Sequence, residues 1–378
     1  MKLSEMHEML RDSINKFAKN ELLPRAEKID EEDEFPADLL KRLGELGALG
    51  VTVGEEYGGA GSDALAQVII IEELARACPA FSLSVGAHSN LCLHNVFKNG
   101  NQAQRKKYVP SLCEGSQIGA LAITEPDYGS DALGIQTSAV KDGDRYILNG
   151  SKTFITNAPV ADTFLLYATT DKSRGPKAIT AFVIERGFEG FSVSRKLKKM
   201  GMKGSPTGEL ALDDCVVPAE NVLGNENGGI KVMLSGLDIE RITVGGVGLG
   251  VGQGAFDLAL DYSKVRMQFG KPISSFQMIQ QKLADMYTGI EAARVFLYDT
   301  AIRAGDGKTS TKEAAASYLF ASETATKIVM DAVQIFGGYS YMMEYPINRF
   351  YRDAKIMEIG GGTTEIRRMI IARELLKG

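Results

Sequence analysis

The stretch ALAITEPDYGSDALG, Ala120–Gly134, stands where the chain changes period. A short apolar run gives way to an acidic residue, a proline and then Gly129-Ser130-Asp131, a loop rich in backbone and hydroxyl donors at a strand end and suited to a polar ligand. Read alone, it is equally a plain turn. Upstream, residues 1–118 carry helical spacing, as in Leu39, Leu40, Leu43 and Leu46, with Pro36 placed to open a helix. Downstream, as far as about Leu223, short β runs follow: DRYILNG, KTFITN, DTFLLYATT, AITAFVIER, FSVSRKL and GELALDDCVVP, with Asn149-Gly150 as a hairpin signal between the first two. After Gly228 long helical periods return. The expected organisation is therefore an N-terminal helical domain (1–118), a central β domain (119–228) and a C-terminal helical domain (229–378).

Composition narrows the function classes. With 378 residues, 44% hydrophobic and 24% charged, the chain can bury a large core and a cofactor. A net charge of -5 provides no general field for nucleic acid, so any phosphate-bearing ligand is held by local groups. Cys78, Cys92, Cys113 and Cys215 are scattered without a C-x-x-C pair, which argues against a zinc site or a disulfide framework. The N-terminus is acidic from Glu5 onward and has no apolar core, unlike a secretory or transit peptide. No apolar run approaches the roughly 20 residues that span a bilayer. The expected location is cytoplasmic, or the mitochondrial matrix for a chain whose presequence had been removed.

Two glycine-rich stretches compete for attention. In Gly250-Val251-Gly252-Gln253-Gly254-Ala255 a loose dinucleotide-binding pattern suggests a nicotinamide oxidoreductase. Against that reading, the apolar positions continue through Phe256, Leu258, Leu260 and Tyr262 without βαβ alternation, so Gly245, Gly246, Gly248, Gly250, Gly252 and Gly254 more simply let a long helix pack closely. The other stretch, KIMEIGGGTTEIR (Lys355–Arg367), sets Gly360, Gly361 and Gly362 between Glu358 and Glu365. Each glycine gives up about 1 kcal/mol of helix stability, so the run marks a turn, a cap or a close approach by a ligand. A helix end followed by an N-cap at Thr363 or Thr364 would also account for it.

Taken with SKTFITN, YSKVRMQFGKPISSFQMIQQKLADM, QIFGG and RDAKIMEI, the opening stretch closely resembles the acyl-CoA dehydrogenase family, over essentially the whole chain. GAHSNLC (Gly86–Cys92), LSGLDIER (Leu234–Arg241) and EIGGGTTEIRR (Glu358–Arg368) bring it nearest the isovaleryl-CoA, or branched-chain, branch. The fold that this implies is mainly α with a central β domain: an N-terminal helical domain, a β-barrel-like middle domain and a C-terminal four-helix bundle. The implied activity is FAD-dependent α,β-dehydrogenation of a short branched or cyclic acyl-CoA to the enoyl-CoA, with electrons passed to an electron-transferring flavoprotein. Another short-chain or alicyclic acyl-CoA is the alternative substrate. The family usually forms homotetramers that share the flavin between neighbouring chains.

Carried over residue by residue, the resemblance puts Leu121, Ile123, Thr124, Glu125, Gly129 and Ser130 on the flavin loop, with Ser130 also at the substrate. It puts Phe154, Ile155 and Thr156 beside the flavin ring, Phe154 replacing the Trp common there and Thr156 donating near the reactive nitrogen. Arg266, Gln277, Gln334, Gly337 and Gly338 match positions on the pyrophosphate and adenosine, largely across a subunit interface. Thr363 and Glu365 match positions near the ribityl chain and phosphates, although Glu365 is equally an ordinary surface residue of a helix. Arg195, Lys196, Lys198 and Lys199 stay unassigned, as a solvated strand end.

Two departures matter. QIFGGYS has Ser340 where the family has a glycine, which puts the local turn in question. Where most of the family has a catalytic Glu after a Tyr, this chain has Gly360 and Gly361, a gap that alone suggests a silent, flavin-free relative. Dehydrogenation removes a proton α to the carbonyl, so a carboxylate is required. The isovaleryl branch supplies it from a neighbouring helix, and the matching residue is Glu240 in LDIER. Gly236, Leu237, Thr243 and Val244 flank Glu240 at helical spacing, which is not a salt-bridge face and implies a raised pKa. The competing reading pairs Glu240 with Arg241. Asp238, Glu240, Arg241, Gly360 and Gly361 thus become substrate-site residues, Arg241 near the CoA moiety and the Gly361 N–H polarising the thioester carbonyl with a flavin ribityl hydroxyl. Removing side chains at 360 and 361 opens volume for branched or cyclic acyl groups.

Overall fold

The computed structural model describes residues 3–305 and 307–377. Seven α-helices come first: α1 (Glu5–Phe17), α2 (Ala26–Glu32), α3 (Ala37–Glu45), α4 (Ala64–Ala77), α5 (Pro79–Gly86), α6 (Asn95–Asn99) and α7 (Gln102–Cys113). α4, ALAQVIIIEELARA, is buried on every side except at Arg76, as its all-round apolar sequence requires of an interior helix. Between α5 and α6, residues Ala87–His94 are wound as a π-helix, buried almost throughout. α7 opens with a capping box between Asn101 and Gln104.

The sheet follows as β1 (Gly119–Ala122), β2 (Ser138–Asp142), β3 (Arg145–Thr156), β4 (Thr163–Thr169), β5 (Ile179–Glu185), β6 (Phe191–Lys196), β7 (Thr207–Pro218) and β8 (Val222–Leu223). Its order is β6-β7-β3-β2-β4-β5-β8, with β1 parallel to β4. Asn149-Gly150 is not a hairpin. DRYILNG and KTFITN form the single strand β3, because β7 pairs with it on both sides of a bulge at Leu148/Gly150, where Gly150 has φ +151°. The Asn149 amide donates to Asp214 of β7 at 2.9 Å, and the chain turns instead at Gly143, between β2 and β3.

The last helices are α8 (Gly229–Val265), α9 (Gln277–Gly305), α10 (Thr311–Phe336), α11 (Pro346–Ala354) and α12 (Thr364–Leu375). α8 packs on α9 and α10, and α10 on α12, giving the four-helix bundle, while α4 lies along another face of α8. The glycines of α8 create that second contact. A Cβ at Gly246, Gly250 or Gly254 would stand 3.1, 2.3 or 2.6 Å from the carbonyl oxygens of Val68, Glu72 and Arg76 respectively. Two matched four-residue spacings bring the helix backbones together, and the dinucleotide-like glycines lie wholly inside α8. Among the described residues no helix is long and apolar enough to cross a membrane. All four cysteines are buried with free thiols.

Candidate active site

Glu240 lies at the start of the fourth turn of α8, on the side that faces Tyr167 of β4 and Tyr318 of α10. Its half-buried carboxylate accepts no hydrogen bond among the described residues. The nearest cation turns elsewhere: Arg241 donates to Asp238 at 2.8 Å, and the other oxygen of Asp238 accepts from Thr311 of α10 at 2.9 Å. The pairing of Glu240 with Arg241 is therefore not formed. Burial, only partly offset by the charge of Arg241, pushes the Glu240 carboxyl up to about 7. Tyr167 on β4 and Tyr318 on α10 are also held protonated, first by burial; the charge of Glu240 adds to this for both.

The glycine run faces this carboxylate. Gly361 has φ +62°, and a Cβ there would stand 3.3 Å from the Tyr318 ring and 3.9 Å from Glu240 Oε1. The vacant side-chain direction at 361 thus points where Glu240 now stands. The run both ends one helical segment and precedes another: Gly360 N–H donates to Ile356 O at 2.7 Å, and Thr363 caps α12 by accepting from Ile366 N–H at 3.3 Å. Glu365 is exposed in the first turn of α12 and accepts from the Thr364 hydroxyl at 3.1 Å.

A second group forms around the loop after β1. Glu125 points inward, accepting from Gln136 N–H at 2.6 Å, Thr137 N–H at 2.9 Å and the fully buried Lys152 at 2.8 Å; Lys152 also donates to Ile123 O at 3.0 Å. Burial pulls the Lys152 ammonium down to about 8 against the attraction of Glu125. This knot fixes both ends of a loop that leaves Gly129 and Ser130 exposed and Thr124 partly so. Leu121, Ile123 and Leu237 of α8 all pack against one apolar cluster, and Thr124 O accepts from Thr153 N–H at 2.9 Å, tying the loop to β3. The next residue, Phe154, is lifted out at a bulge between Lys152 and Ile155, with φ +58° and 68% of its surface exposed. Left-handed backbone at a bulky aromatic is strained, so the surrounding strands hold that ring outward. Ile155 turns the other way, is 3% exposed and pairs with Gly208 of β7, so its side chain belongs to the core. Thr156 is partly exposed.

The third group lies at the far end of α8. Arg266, Gly337 and Gly338 share a surface cavity of about 430 Å³ with Tyr262, Phe336 and Tyr339. Open space surrounds both glycines, and Arg266 lies 5.2 Å over the Tyr339 ring. Gln277, opening α9, and Gln334, in the last turn of α10, are exposed outside that lining. Ser340 preserves the turn: it needs no positive φ, and its hydroxyl donates to Gly337 O at 2.7 Å.

Sequence reasoning missed Tyr318, Arg367 and Lys152. Tyr318 and Arg367 look like ordinary helix residues in AAASYLF and EIRRM, and Lys152 like an exposed strand lysine; no local pattern marks any of them.

One chain thus carries an aromatic face held outward, a cradle of glycines beside a cation and an isolated high-pKa carboxylate, a set suited to a flavin-dependent oxidoreductase. Sequence profiles of the acyl-CoA dehydrogenase N-terminal, middle and C-terminal domains match residues 4–116, 120–215 and 227–376. The mitochondrial isovaleryl-CoA dehydrogenase of Pongo abelii is 46% identical over 98% of this chain and 89% of its own length. The butyryl-CoA dehydrogenase of Megasphaera elsdenii superposes with a TM-score of 0.97 at 41% identity, covering 100% of both chains. An acyl-CoA dehydrogenase of Bacillus anthracis solved with FAD has a TM-score of 0.94 at 37% identity, covering 100% of this chain and 68% of that one. The chain belongs to the acyl-CoA dehydrogenase family. It is a FAD-dependent acyl-CoA dehydrogenase.

A carboxyl at about 7 gives any role of Glu240 as a base a testable pH profile. With the carboxylate as the active form, kcat/KM for flavin reduction would rise with pH to a plateau above about 7, and fall about tenfold per unit below it. A stopped-flow series across pH 5.5–9 checks this. A midpoint near the ordinary carboxylate value would mean that burial does not set the base.

Proposed function

We propose that the chain dehydrogenates a short branched or cyclic acyl-CoA to the enoyl-CoA, with Glu240 as the base. The observation that carries this reading is the Glu240 carboxylate, without a hydrogen bond, facing a Gly361 that has no side chain. Glu240 takes the α-proton, and the Gly361 N–H, which donates to no described residue, receives the developing charge on the thioester oxygen. FAD, when bound, supplies the acceptor for the hydride leaving the β-carbon. The residues present fit it: Phe154 offers an aromatic face, Thr156 a hydroxyl, and Arg266 with Gly337 and Gly338 a cation beside open backbone. Thr124, Gly129, Ser130, Gln277, Gln334, Thr363 and Glu365 complete the proposed cofactor contacts. The exposure of Gln277 and Gln334 in one chain, with Arg266 partly exposed, favours a homotetramer in which a neighbour's flavin reaches them. Electrons then pass to an electron-transferring flavoprotein. The division at 118/119 and 228/229 belongs to the same proposal.

The branched substrate rests on the space left at Gly360 and Gly361 and on the likeness to the Pongo abelii enzyme. The likeness to butyryl-CoA dehydrogenase favours a straight short chain as the second reading. Anaerobic titration of the yellow protein with isovaleryl-, isobutyryl-, cyclohexanecarbonyl- and butyryl-CoA, with light scattering for mass, tests the whole. We expect FAD near one per chain, tetrameric mass and bleaching at lowest concentration by a branched or cyclic thioester. Tightest bleaching by butyryl-CoA would move the substrate to the second reading; a protein that cannot be loaded with FAD would remove both.

A further inference from the structure

We infer that Arg367 and Tyr318 are positioning residues that aim and strengthen the Gly361 N–H, acting through the Gly360–Gly361 peptide. This inference rests on the proposed role of that N–H toward the thioester. Gly360 O accepts two hydrogen bonds, from the Tyr318 hydroxyl at 2.9 Å and from Arg367 Nη2 at 2.8 Å. The two donors are themselves locked together. The Arg367 guanidinium lies 3.4 Å over the Tyr318 ring and donates to Met357 O at 2.8 Å and Ser322 Oγ at 2.9 Å, while the side chain is fully buried.

Gly360 C=O and Gly361 N–H belong to one planar trans peptide, so they point in opposite directions. Fixing the oxygen against Tyr318 and Arg367 therefore turns the N–H away from them and holds it there. In a glycine pair, whose backbone is otherwise free to rotate, that clamp replaces the restraint a side chain would give. It also changes the donor electronically: a carbonyl that accepts from a cation and a hydroxyl at once draws charge from its amide, and the N–H becomes a stronger donor. A buried arginine spent only on ending a helix would need no partner hydroxyl on the same oxygen.

The test uses FAD-loaded protein and the carbonyl stretch of a bound, ¹³C-labelled enoyl thioester, either 3-methylbut-2-enoyl-CoA or but-2-enoyl-CoA, whichever binds tighter. Such a product is inert toward oxidised flavin, so the spectrum reads polarisation alone. Arg367→Met removes a buried cation and strains folding, so Tyr318→Phe carries the decision. We expect the parent to lower the stretch relative to free ligand and Tyr318→Phe to lower it clearly less. Flavin reduction should slow by about tenfold, below the hundredfold or more typical of deleting an oxyanion donor outright, with the thioester Kd within about threefold of the parent. Arg367→Lys, keeping charge without the fork, should fall between the two. A lowered stretch in the parent that Tyr318→Phe leaves unchanged would overturn the clamp while leaving the role of the N–H intact. No lowering in the parent would overturn that role and the clamp with it.

Discussion

Glu240→Gln should keep FAD, bind acyl-CoA with near-parent affinity and lose flavin reduction by about 10²- to 10⁴-fold, or roughly 3 to 5 kcal/mol of barrier. The amide is nearly isosteric, and the carboxylate it replaces makes no hydrogen bond that the fold would miss. Folding should improve slightly near neutral pH, because the variant no longer buries an ionised carboxylate. The binding–chemistry split is the informative part. A residue that merely shaped the pocket would raise the Kd of the thioester together with the rate loss, whereas a base is silent until the proton moves. Single-turnover mixing measures both quantities in one titration. Reduction at the parent rate would remove Glu240 as the base and leave the glycine run without a chemical partner.

Much of the proposed site was legible because family motifs are short and contiguous: ITEPDYGS, KTFITN and LDIER each carry their candidate residues on one loop, strand or turn. The two changes of period were visible for the same reason, since helix and strand spacing are local. What stayed hidden depends on contact between distant segments. Asn149-Gly150 has the composition of a turn, yet β7, more than fifty residues on, pairs across it and makes it a bulge. Lys152 shares the inward parity of Tyr146 and Leu148, but a lysine is rarely buried without a partner, and the groups that satisfy it, Glu125 and Ile123 O, lie on another segment. Arg367 and Tyr318 are separated by a helix and a half and meet on one carbonyl oxygen. The doubt about Ser340 had a local cause and a local answer, because glycine is needed only where φ is positive, and here that position is Gly337, with φ +59°.

The variant that returns a carboxylate to the family's usual place, Glu240→Gln with Gly361→Glu, should recover flavin reduction only in part: about tenfold above Glu240→Gln and still at least tenfold below the parent, within the range of a general base. Recovery is expected because the missing side chain at 361 points at the carboxylate of Glu240, with 3.9 Å between the would-be Cβ and Oε1. Three features of the structure limit it. Gly361 has φ +62°, where an L-residue costs about 1–2 kcal/mol. The new Cβ would press on the Tyr318 ring at 3.3 Å and its hydroxyl at 3.6 Å, disturbing the clamp on Gly360 O. The added side chain also fills the space beside the α-carbon, so whatever activity returns should favour butyryl-CoA over branched thioesters. Reduction rates for both substrates, with FAD content and thermal unfolding measured on the same preparation, separate these effects. A folded, FAD-loaded double variant no faster than Glu240→Gln would mean that the two carboxylate positions are not interchangeable, and that Gly361 is present for its backbone alone.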